Sequence, residues 1–320
     1  MNDTSASMTE AVAQPGRWQD YLQLMKPRVM SLVVFTALTG LVCARAPMSP
    51  WLAAIAVLCI AVGAGASGAL NMGFEADLDA KMRRTRHRSV PSGRVQKADA
   101  LGLGVVLSIF SVGLMALATN VLAAGLLAFT IFFYAVVYTL WLKRSTPQNI
   151  VIGGLAGALP PVIGWAAASG TAPLNAWLLC AIIFMWTPAH FWSLSLYVQD
   201  DYAAAGVPML PVVAGAPRTR RAILIYGLIF VVTALAPAVT GLGGALYLGT
   251  AAVGGAAFVA LAVRLVLSRA GDDRERADGL YDVKGPKEAR DLFAFSIAYL
   301  FALFAALLIE RFSGLAPLVR

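Results

Sequence analysis

The 320-residue chain is poor in charge and in cysteine. Only 13% of its residues are charged and 59% are hydrophobic, whereas a soluble globular protein has about 25% charged and roughly 45–50% apolar residues. This composition excludes a disordered tail protein and an ordinary soluble enzyme. The three cysteines, Cys43, Cys59 and Cys180, lie singly within apolar runs. Without a CxxC or a metal-binding spacing, they indicate neither a disulfide scaffold nor a cysteine metal site.

Long apolar runs are what the chain does contain. A membrane-crossing helix needs about 20 mainly apolar residues, and the runs are continuous rather than alternating, which excludes strands. We therefore predict an all-α polytopic membrane protein: a cytoplasmic segment, residues 1–28, followed by one transmembrane domain, residues 29–320. The nine predicted spans are residues 29–46, 51–70, 100–118, 121–142, 150–168, 176–198, 222–240, 245–268 and 292–312.

The basic residues predict the orientation. If the nine runs cross the membrane in turn, 22 of the 25 lysines and arginines lie on one face, and only Arg45, Arg311 and Arg320 lie on the other. The positive-inside rule then places the N-terminus in the cytoplasm and the C-terminus on the opposite side. The net charge of +8 follows from topology, so no nucleic-acid partner is predicted.

A group of polar residues closes the second span. Asn71, Glu75 and Asp79 are four residues apart, so on a continuous helix they share one face, with Asp77 off that face. Two carboxylates and an amide at a membrane rim suit Mg²⁺ bound jointly to phosphates. An ordinary solvated helix end is the alternative interpretation.

A second acidic group closes the sixth span, four spans after the first. Tyr197 is followed there by Asp200 and Asp201, and this repetition predicts an internal duplication whose two acidic helix ends face one cavity. A dense cationic run, residues 81–88, lies next to the first group. Such a run binds anionic lipid headgroups or sets topology, but beside carboxylates it also suits a polyphosphate, whose charge metal ions and arginines share.

His190 is an ionisable residue inside a predicted span, which makes it a functional candidate by default. Trp186, Phe191 and Trp192 flank it and form either an aromatic wall or an interface belt. Together these features predict a cavity that opens to the cytoplasm, with Mg²⁺–diphosphate chemistry at its rim and an apolar tail among the helices.

Several stretches carry a family pattern. They are residues 24–29, 71–88, 138–154, 157–161, 186–213 and 292–297. On these stretches the chain resembles the UbiA-type intramembrane prenyltransferases, in particular the branch that modifies haem. The residues from Trp186 to Val213 resemble that branch specifically, whereas the acidic pattern belongs to the wider superfamily.

The resemblance implies nine helices around a central cavity in a bacterial inner membrane. It implies transfer of a farnesyl group from farnesyl diphosphate to a vinyl group of haem b, followed by addition of water. Mg²⁺ would be the cofactor, haem b a substrate, and a haem A synthase the protein that takes the product.

The resemblance also implies roles for individual residues. The implied metal ligands are Asn71, Glu75, Asp79 and Asp201. These four are also implied to be catalytic, together with Arg84, Arg88 and the haem-facing His190. The implied substrate-binding residues are Lys26, Arg28, Lys143, Arg144, Asn149, Tyr197 and Asp200.

The chain departs from the family pattern at three positions. Glu75 stands where the pattern usually has aspartate, and Ser89 and Ala189 stand at common proline positions. None of these departures removes a charged group. The longer glutamate side chain predicts looser or water-mediated metal binding at position 75.

Three other functions compete with this interpretation. A UbiA-type enzyme with an aromatic quinone-precursor acceptor would not need the residues around His190. A cation-coupled transporter predicts acidic groups near the bilayer midplane, whereas these lie at one rim. A bis-histidine haem protein needs facing histidines, but only His87 and His190 exist, and His87 lies in a predicted loop.

Overall fold

The computed structural model describes residues 16–272, 287–315 and 317–319, and all regular structure within these ranges is helical. Eight of its helical stretches are long and apolar enough to cross a membrane. A bent pair, Trp18–Leu24 with Val29–Cys43, raises the number to nine if it counts as one span. The predicted all-α polytopic fold is confirmed.

The first half of the chain ends in an unusual helix. Its elements are α1 (Trp18–Leu24), α2 (Pro27–Cys43), α3 (Pro50–Phe74), α4 (Ala76–Lys81), α5 (Lys97–Ala118) and α6 (Val121–Phe132). α6 continues directly into a π-helical segment, Phe133–Leu142, and then into α7 (Lys143–Ser145). π-helical turns are rare and are frequent at functional sites.

The second half begins with a broken span. α8 (Asn149–Ala158) and α9 (Pro160–Ser169) meet at Leu159, directly before Pro160 and Pro161, because proline interrupts the hydrogen bonds of a helix. The remaining elements are α10 (Leu174–Tyr197), α11 (Gln199–Ala204), α12 (Leu210–Val239), α13 (Ala245–Leu267) and α14 (Lys287–Phe312).

The helices pack in two series that meet at α2. α2 packs on α3, α3 on α5 and α5 on α6; α10 packs on α12, α12 on α13, α13 on α14, and α14 returns to α2. α8 and α9 lie inside this arrangement, where they contact α10, the π-helical segment, α2, α3 and α6. Because the fifth span is interior, it can line a cavity together with the first half of the chain.

α12 begins earlier than the sequence predicts. The predicted span started at residue 222, but the helix begins at Leu210, with a break at Gly215, where φ is 77°. That start was wrong because Arg218, Arg220 and Arg221 ended the apolar run. The helix can include the buried Arg220 because its guanidinium donates to the carboxylate of Asp272 at 2.8 Å.

Buried or partly buried side chains cap the helix ends on the side of the protein opposite the candidate site. The buried Glu310 accepts hydrogen bonds from the backbone N–H groups of Gly244 and Tyr247, at 2.6 and 2.8 Å, where α13 begins. Asn120 accepts from the N–H of Ala123 at the start of α6 and donates to the carbonyl of Ala166. These bonds satisfy backbone groups that helix ends leave unpaired.

The closest helix crossing depends on glycine. A Cβ atom added to Gly164 of α9 would overlap the carbonyl oxygen of Ala37 in α2. Small residues let membrane helices approach in this way. The α2–α9 contact therefore fixes the interior span against the first one.

We expect Gly164→Ala to destabilise the protein, because α2 and α9 must separate to admit the methyl group. Overpacking of this kind costs about 1–3 kcal/mol. Thermal unfolding in detergent would measure the loss. Gly125→Ala is the matched control, since its added methyl group meets no atom within 4 Å; equal transition temperatures for both variants would contradict the assignment.

Candidate functional site

The polar residues of the second span come together, although the helix that carries them is interrupted. α3 ends at Phe74 and α4 begins at Ala76, with Glu75 between them at φ −100° and ψ 10°. The helix thus does not continue unbroken, which was the condition under which the sequence placed the three residues on one face. Backbone hydrogen bonds from Glu75 to Asn71 and from Asp79 to Glu75 still bridge the break. Asn71, Glu75 and Asp79 are all buried.

Each member of this polar group contacts a cation from a different part of the chain. Lys143 Nζ lies 2.6 Å from Glu75 Oε2, and Arg88 Nη1 lies 2.8 Å from Asp79 Oδ2. Lys26 Nζ donates to Asn71 Oδ1 at 2.6 Å. Three cations thus surround two carboxylates, so this polar cluster (Lys26, Asn71, Glu75, Asp79, Arg88 and Lys143) has an excess positive charge suited to a polyanion.

Lys26 reaches the polar cluster through a strained backbone. It lies between α1 and α2 with φ 51° and ψ 56°, a left-handed conformation that costs a non-glycine residue roughly 1–2 kcal/mol. α1 packs below it, with Leu24 buried against Ala69 and Met72 of α3. Strain of this kind is typical of functional positions.

The π-helical segment orients Asn71. Thr139 Oγ1 donates its proton to the carbonyl of Tyr134, five residues earlier, at 2.8 Å. It can therefore only accept from Asn71 Nδ2, which lies 3.0 Å away. This bond directs Asn71 Oδ1 toward Lys26. Sequence reasoning missed Thr139, because hydropathy does not distinguish a π-helix from an α-helix.

Asp77 and Arg144 form a separate, more exposed pair. The guanidinium of Arg144 donates to both carboxylate oxygens of Asp77, at 2.8 and 2.9 Å, and to the carbonyl of Phe74. The hydrogen bond from Arg144 lowers the pKa of the Asp77 carboxyl below its ordinary value. Asp77 thus points away from Glu75, and Arg144 closes the end of α3.

The second acidic group meets the cationic loop. The carboxylate of Asp201 accepts the backbone N–H groups of Arg83 and Arg84, at 3.2 and 3.3 Å. The two acidic helix ends are therefore joined through the loop that follows α4. Tyr202 is buried beside this contact, and burial raises the pKa of its hydroxyl to about 12.

The other predicted residues are less closely involved. Asp200 and the Arg84 side chain are exposed and form no hydrogen bond or ion pair with the described residues. Asn149 is buried and donates to the carbonyl of Thr146 at 2.7 Å. Arg28 belongs to α2, but its side chain lies outside the described residues. Tyr197 contacts Phe293 edge to face at 6.0 Å.

An apolar cavity opens below Lys26. About 670 Å³ of empty space lies between its walls, including the part that is open to the surroundings. Lys26 and Tyr134 lie at its polar end. Its walls come from α2, α3, α6, α8 and α9 and include Val33, Ile60, Gly63, Leu127, Ile131, Gly157 and Ile163. The site thus combines a charged opening, formed by the polar cluster, with an apolar cavity behind it.

The polar cluster fits a divalent cation only in part. Glu75 Oε1 is buried and accepts no hydrogen bond within the described ranges, and a carboxylate oxygen without a donor suits Mg²⁺. No three histidine, cysteine, aspartate or glutamate side chains of the described chain are placed to hold a metal by themselves. Oxygens of a bound phosphate would have to complete the coordination.

Comparison with known proteins gives consistent results. The model of the UbiA prenyltransferase family matches residues 33–283. The protoheme IX farnesyltransferase of Caulobacter vibrioides is 66% identical over 315 residues, which cover 96% of this chain and 95% of that protein. The protein of the same name from Maricaulis maris is 60% identical over 298 residues, covering 92% and 90%.

Solved structures share the fold at low sequence identity. A digeranylgeranylglyceryl phosphate synthase superposes with a TM-score of 0.73 at 14% identity, covering 92% of this chain and 99% of that one. A UbiA homologue from Archaeoglobus fulgidus bound to GPP and Mg²⁺ superposes with a TM-score of 0.60 at 16% identity, covering 90% and 99%. These structures confirm the helical arrangement.

We expect Thr139→Val to weaken Mg²⁺-dependent binding of inorganic diphosphate by about tenfold, because loss of an outer partner typically costs 10–100-fold in metal affinity. Without the hydroxyl, Asn71 Nδ2 loses its acceptor, and only the hydrogen bond from Lys26 still orients the amide. Calorimetric titration would measure the change. The control is Thr233→Val, since Thr233 makes the same bond to its own helix, at 2.8 Å from the carbonyl of Ile229; an equal loss in both variants would refute the role of Thr139.

Proposed function

The chain belongs to the UbiA prenyltransferase family, and from this premise we propose that it transfers a farnesyl group from farnesyl diphosphate to a vinyl group of haem b. The observation that carries this proposal is the position of the polar cluster directly above an apolar cavity. A prenyl diphosphate has the same division into a charged head and an apolar tail. The names of the close relatives supply the acceptor.

The cations of the polar cluster would bind the diphosphate. Arg88 and Lys143 pair with the carboxylates of Asp79 and Glu75. Lys26 donates to the amide oxygen of Asn71 beside them. A diphosphate can therefore replace part of the carboxylate pairing without moving the helices. The exposed Arg84 and the half-exposed Arg144 offer further charge, to the diphosphate or to the haem propionates.

Asn71, Glu75 and Asp79 would hold Mg²⁺ together with the diphosphate. The metal ion would supply a Lewis acid that stabilises the departing charge. Asp201 would support this region by holding the backbone of Arg83 and Arg84. Glu75 keeps the negative charge of the usual aspartate but would bind the metal ion more loosely or through water, because its side chain is longer.

The proposed reaction balances without a redox partner. The allylic C–O bond breaks, and diphosphate leaves with the electron pair. The vinyl π electrons of haem then form the new C–C bond, water adds to the resulting cation, and a proton is released. The chain's contribution is to bind the diphosphate at the opening and to keep the tail in an apolar cavity, away from premature water.

The surroundings of the enzyme are also part of the proposal. We place the protein in a bacterial inner membrane with the polar cluster on the cytoplasmic side, the N-terminus inside and the C-terminus outside. The excess of basic residues on one face supports this orientation. Residues 29–320 would act as one domain after the N-terminal segment, residues 1–28, and a haem A synthase would take the product.

We expect membranes containing the protein to convert haem b, farnesyl diphosphate and Mg²⁺ into a haem heavier by one farnesyl group and one water, as detected by mass spectrometry. Asp79→Asn should lower the rate at least 100-fold, because the site loses one of its two negatively charged ligands and the ion-pair partner of Arg88. Asp99→Asn, an exposed carboxylate at the start of α5, should be unaffected. Absence of product with the unaltered protein would contradict the proposal.

We expect Gly157→Leu to shorten the prenyl chain that the enzyme accepts. Gly157 lines the cavity, and a Cβ atom added there meets nothing within 4 Å, so the leucine side chain fills space rather than displacing backbone. The ratio of kcat/KM for geranyl to that for farnesyl diphosphate should rise about tenfold. Gly125→Leu, on the exposed face of α6, is the control. If neither variant changes the chain-length preference, the prenyl tail does not bind in this cavity.

A further inference from the structure

The imidazole of His190 is held between two aromatic rings. Trp186 stacks on one side, with ring centroids 4.0 Å apart and an angle of 14° between the planes. Phe293 of α14 stacks at 4.5 Å and 20°. Because both stacked rings are nearly parallel to the imidazole, the plane of His190 is fixed and only its edge can contact a ligand.

Ser296 determines which nitrogen of His190 carries the proton. Ser296 Oγ lies 2.6 Å from His190 Nδ1 and 2.6 Å from the carbonyl oxygen of Phe293. The carbonyl can only accept, so the hydroxyl proton must lie between Ser296 and Phe293. Ser296 Oγ therefore accepts from Nδ1–H. In the neutral ring this leaves Nε2 as the unprotonated nitrogen.

Ser296 is itself fixed in place. It is fully buried, and its backbone carbonyl accepts a hydrogen bond from Trp186 Nε1 at 2.9 Å. One turn of α14 thus holds both the imidazole and one of the rings stacked on it. This arrangement restricts His190 far more than packing of an ordinary core residue requires.

The Nε2 atom of His190 remains available to bind a ligand. It makes no hydrogen bond with any described residue, and it is not among the fully enclosed polar atoms. The ring is half-buried. No carboxylate of the described chain forms a hydrogen bond or ion pair with it, so an imidazolium would be unsupported in this apolar setting. A neutral ligand role fits these surroundings better than proton abstraction.

We propose that Ser296 is a positioning residue that locks the Nδ1–H tautomer of His190 and thereby presents Nε2 as an axial ligand to the iron of the haem substrate. This inference rests on the proposed function for the identity of the acceptor. A histidine that ligates a metal usually donates its other N–H to an outer acceptor, which fixes the tautomer. Ser296 is that acceptor here, in the last span and 106 residues from His190.

Haem titration of the purified full-length protein in lipid nanodiscs tests this role. Haem b bound to the unaltered protein should show the absorption and electron paramagnetic resonance spectra of an imidazole-ligated iron. His190→Gly should lose that signature, and added imidazole should restore it. Ser296→Ala should weaken haem binding about tenfold, within the range known for outer partners.

Two further variants separate positioning from folding. Ser296→Thr retains the hydroxyl and should bind haem within about threefold of the unaltered protein. Ser193→Ala removes another buried hydroxyl, one that donates to the carbonyl of Ala189 at 2.7 Å, and should leave the spectrum unchanged. If Ser193→Ala weakens haem binding as much as Ser296→Ala, the role assigned to Ser296 is wrong.

Farnesyl transfer, measured in parallel, distinguishes the two proposals. Product formation by the unaltered protein together with an unchanged haem spectrum in His190→Gly would overturn the ligand role and leave the proposed function intact. Imidazole-type haem ligation without any transfer of farnesyl would instead overturn the proposed function.

Discussion

The pairing of buried charge between Glu75 and Lys143 is the interaction on which the site depends. Both side chains are largely withdrawn from water, at 1% and 12% exposure, and a buried charge that loses its partner costs about 3–5 kcal/mol. Lys143, which directly follows the π-helical segment, must therefore lie opposite the break at Glu75. The same requirement draws Arg88 and Lys26 toward Asp79 and Asn71. The charges at the opening thus position three segments of backbone around the cavity.

Two hydroxyl groups then determine how neutral polar side chains are oriented. Thr139 and Ser296 each donate to a carbonyl of their own helix, so each must accept from a second side chain. In one case this directs the oxygen of Asn71 toward Lys26, and in the other it leaves Nε2 of His190 unprotonated. In both cases a hydroxyl on one helix fixes which atom of a side chain on a neighbouring helix donates and which accepts. Because the hydroxyl is neutral, no further charge has to be buried.

Much of this arrangement could be predicted from sequence, because in a membrane protein hydropathy indicates which segments cross the bilayer and charge indicates which face they start from. The spans, the face that carries the cations, and the buried group of Asn71, Glu75 and Asp79 all follow from residue type and spacing. The π-helical segment could not be predicted, since its ten residues have the same apolar character as the α-helix before it. Ser296 also escaped detection, because its partner His190 lies on a different span and only tertiary packing joins them. The pairing of Arg220 in α12 with Asp272 could not be predicted for the same reason, because only tertiary packing joins the two residues.

Three irregularities of the described backbone lie where function is proposed. Lys26 has a left-handed conformation, Glu75 interrupts a helix, and the π-helical segment ends at Leu142, directly before Lys143. At the opposite membrane face, Glu310 and Asn120 satisfy the helix ends. Irregular backbone at membrane depth is tolerated only where protein or a water-filled cavity can satisfy its polar groups. The strain at Lys26 and the unpaired oxygen of Glu75 are thus stabilised by the same cluster of charges that would bind a diphosphate, so binding and local backbone order should be coupled.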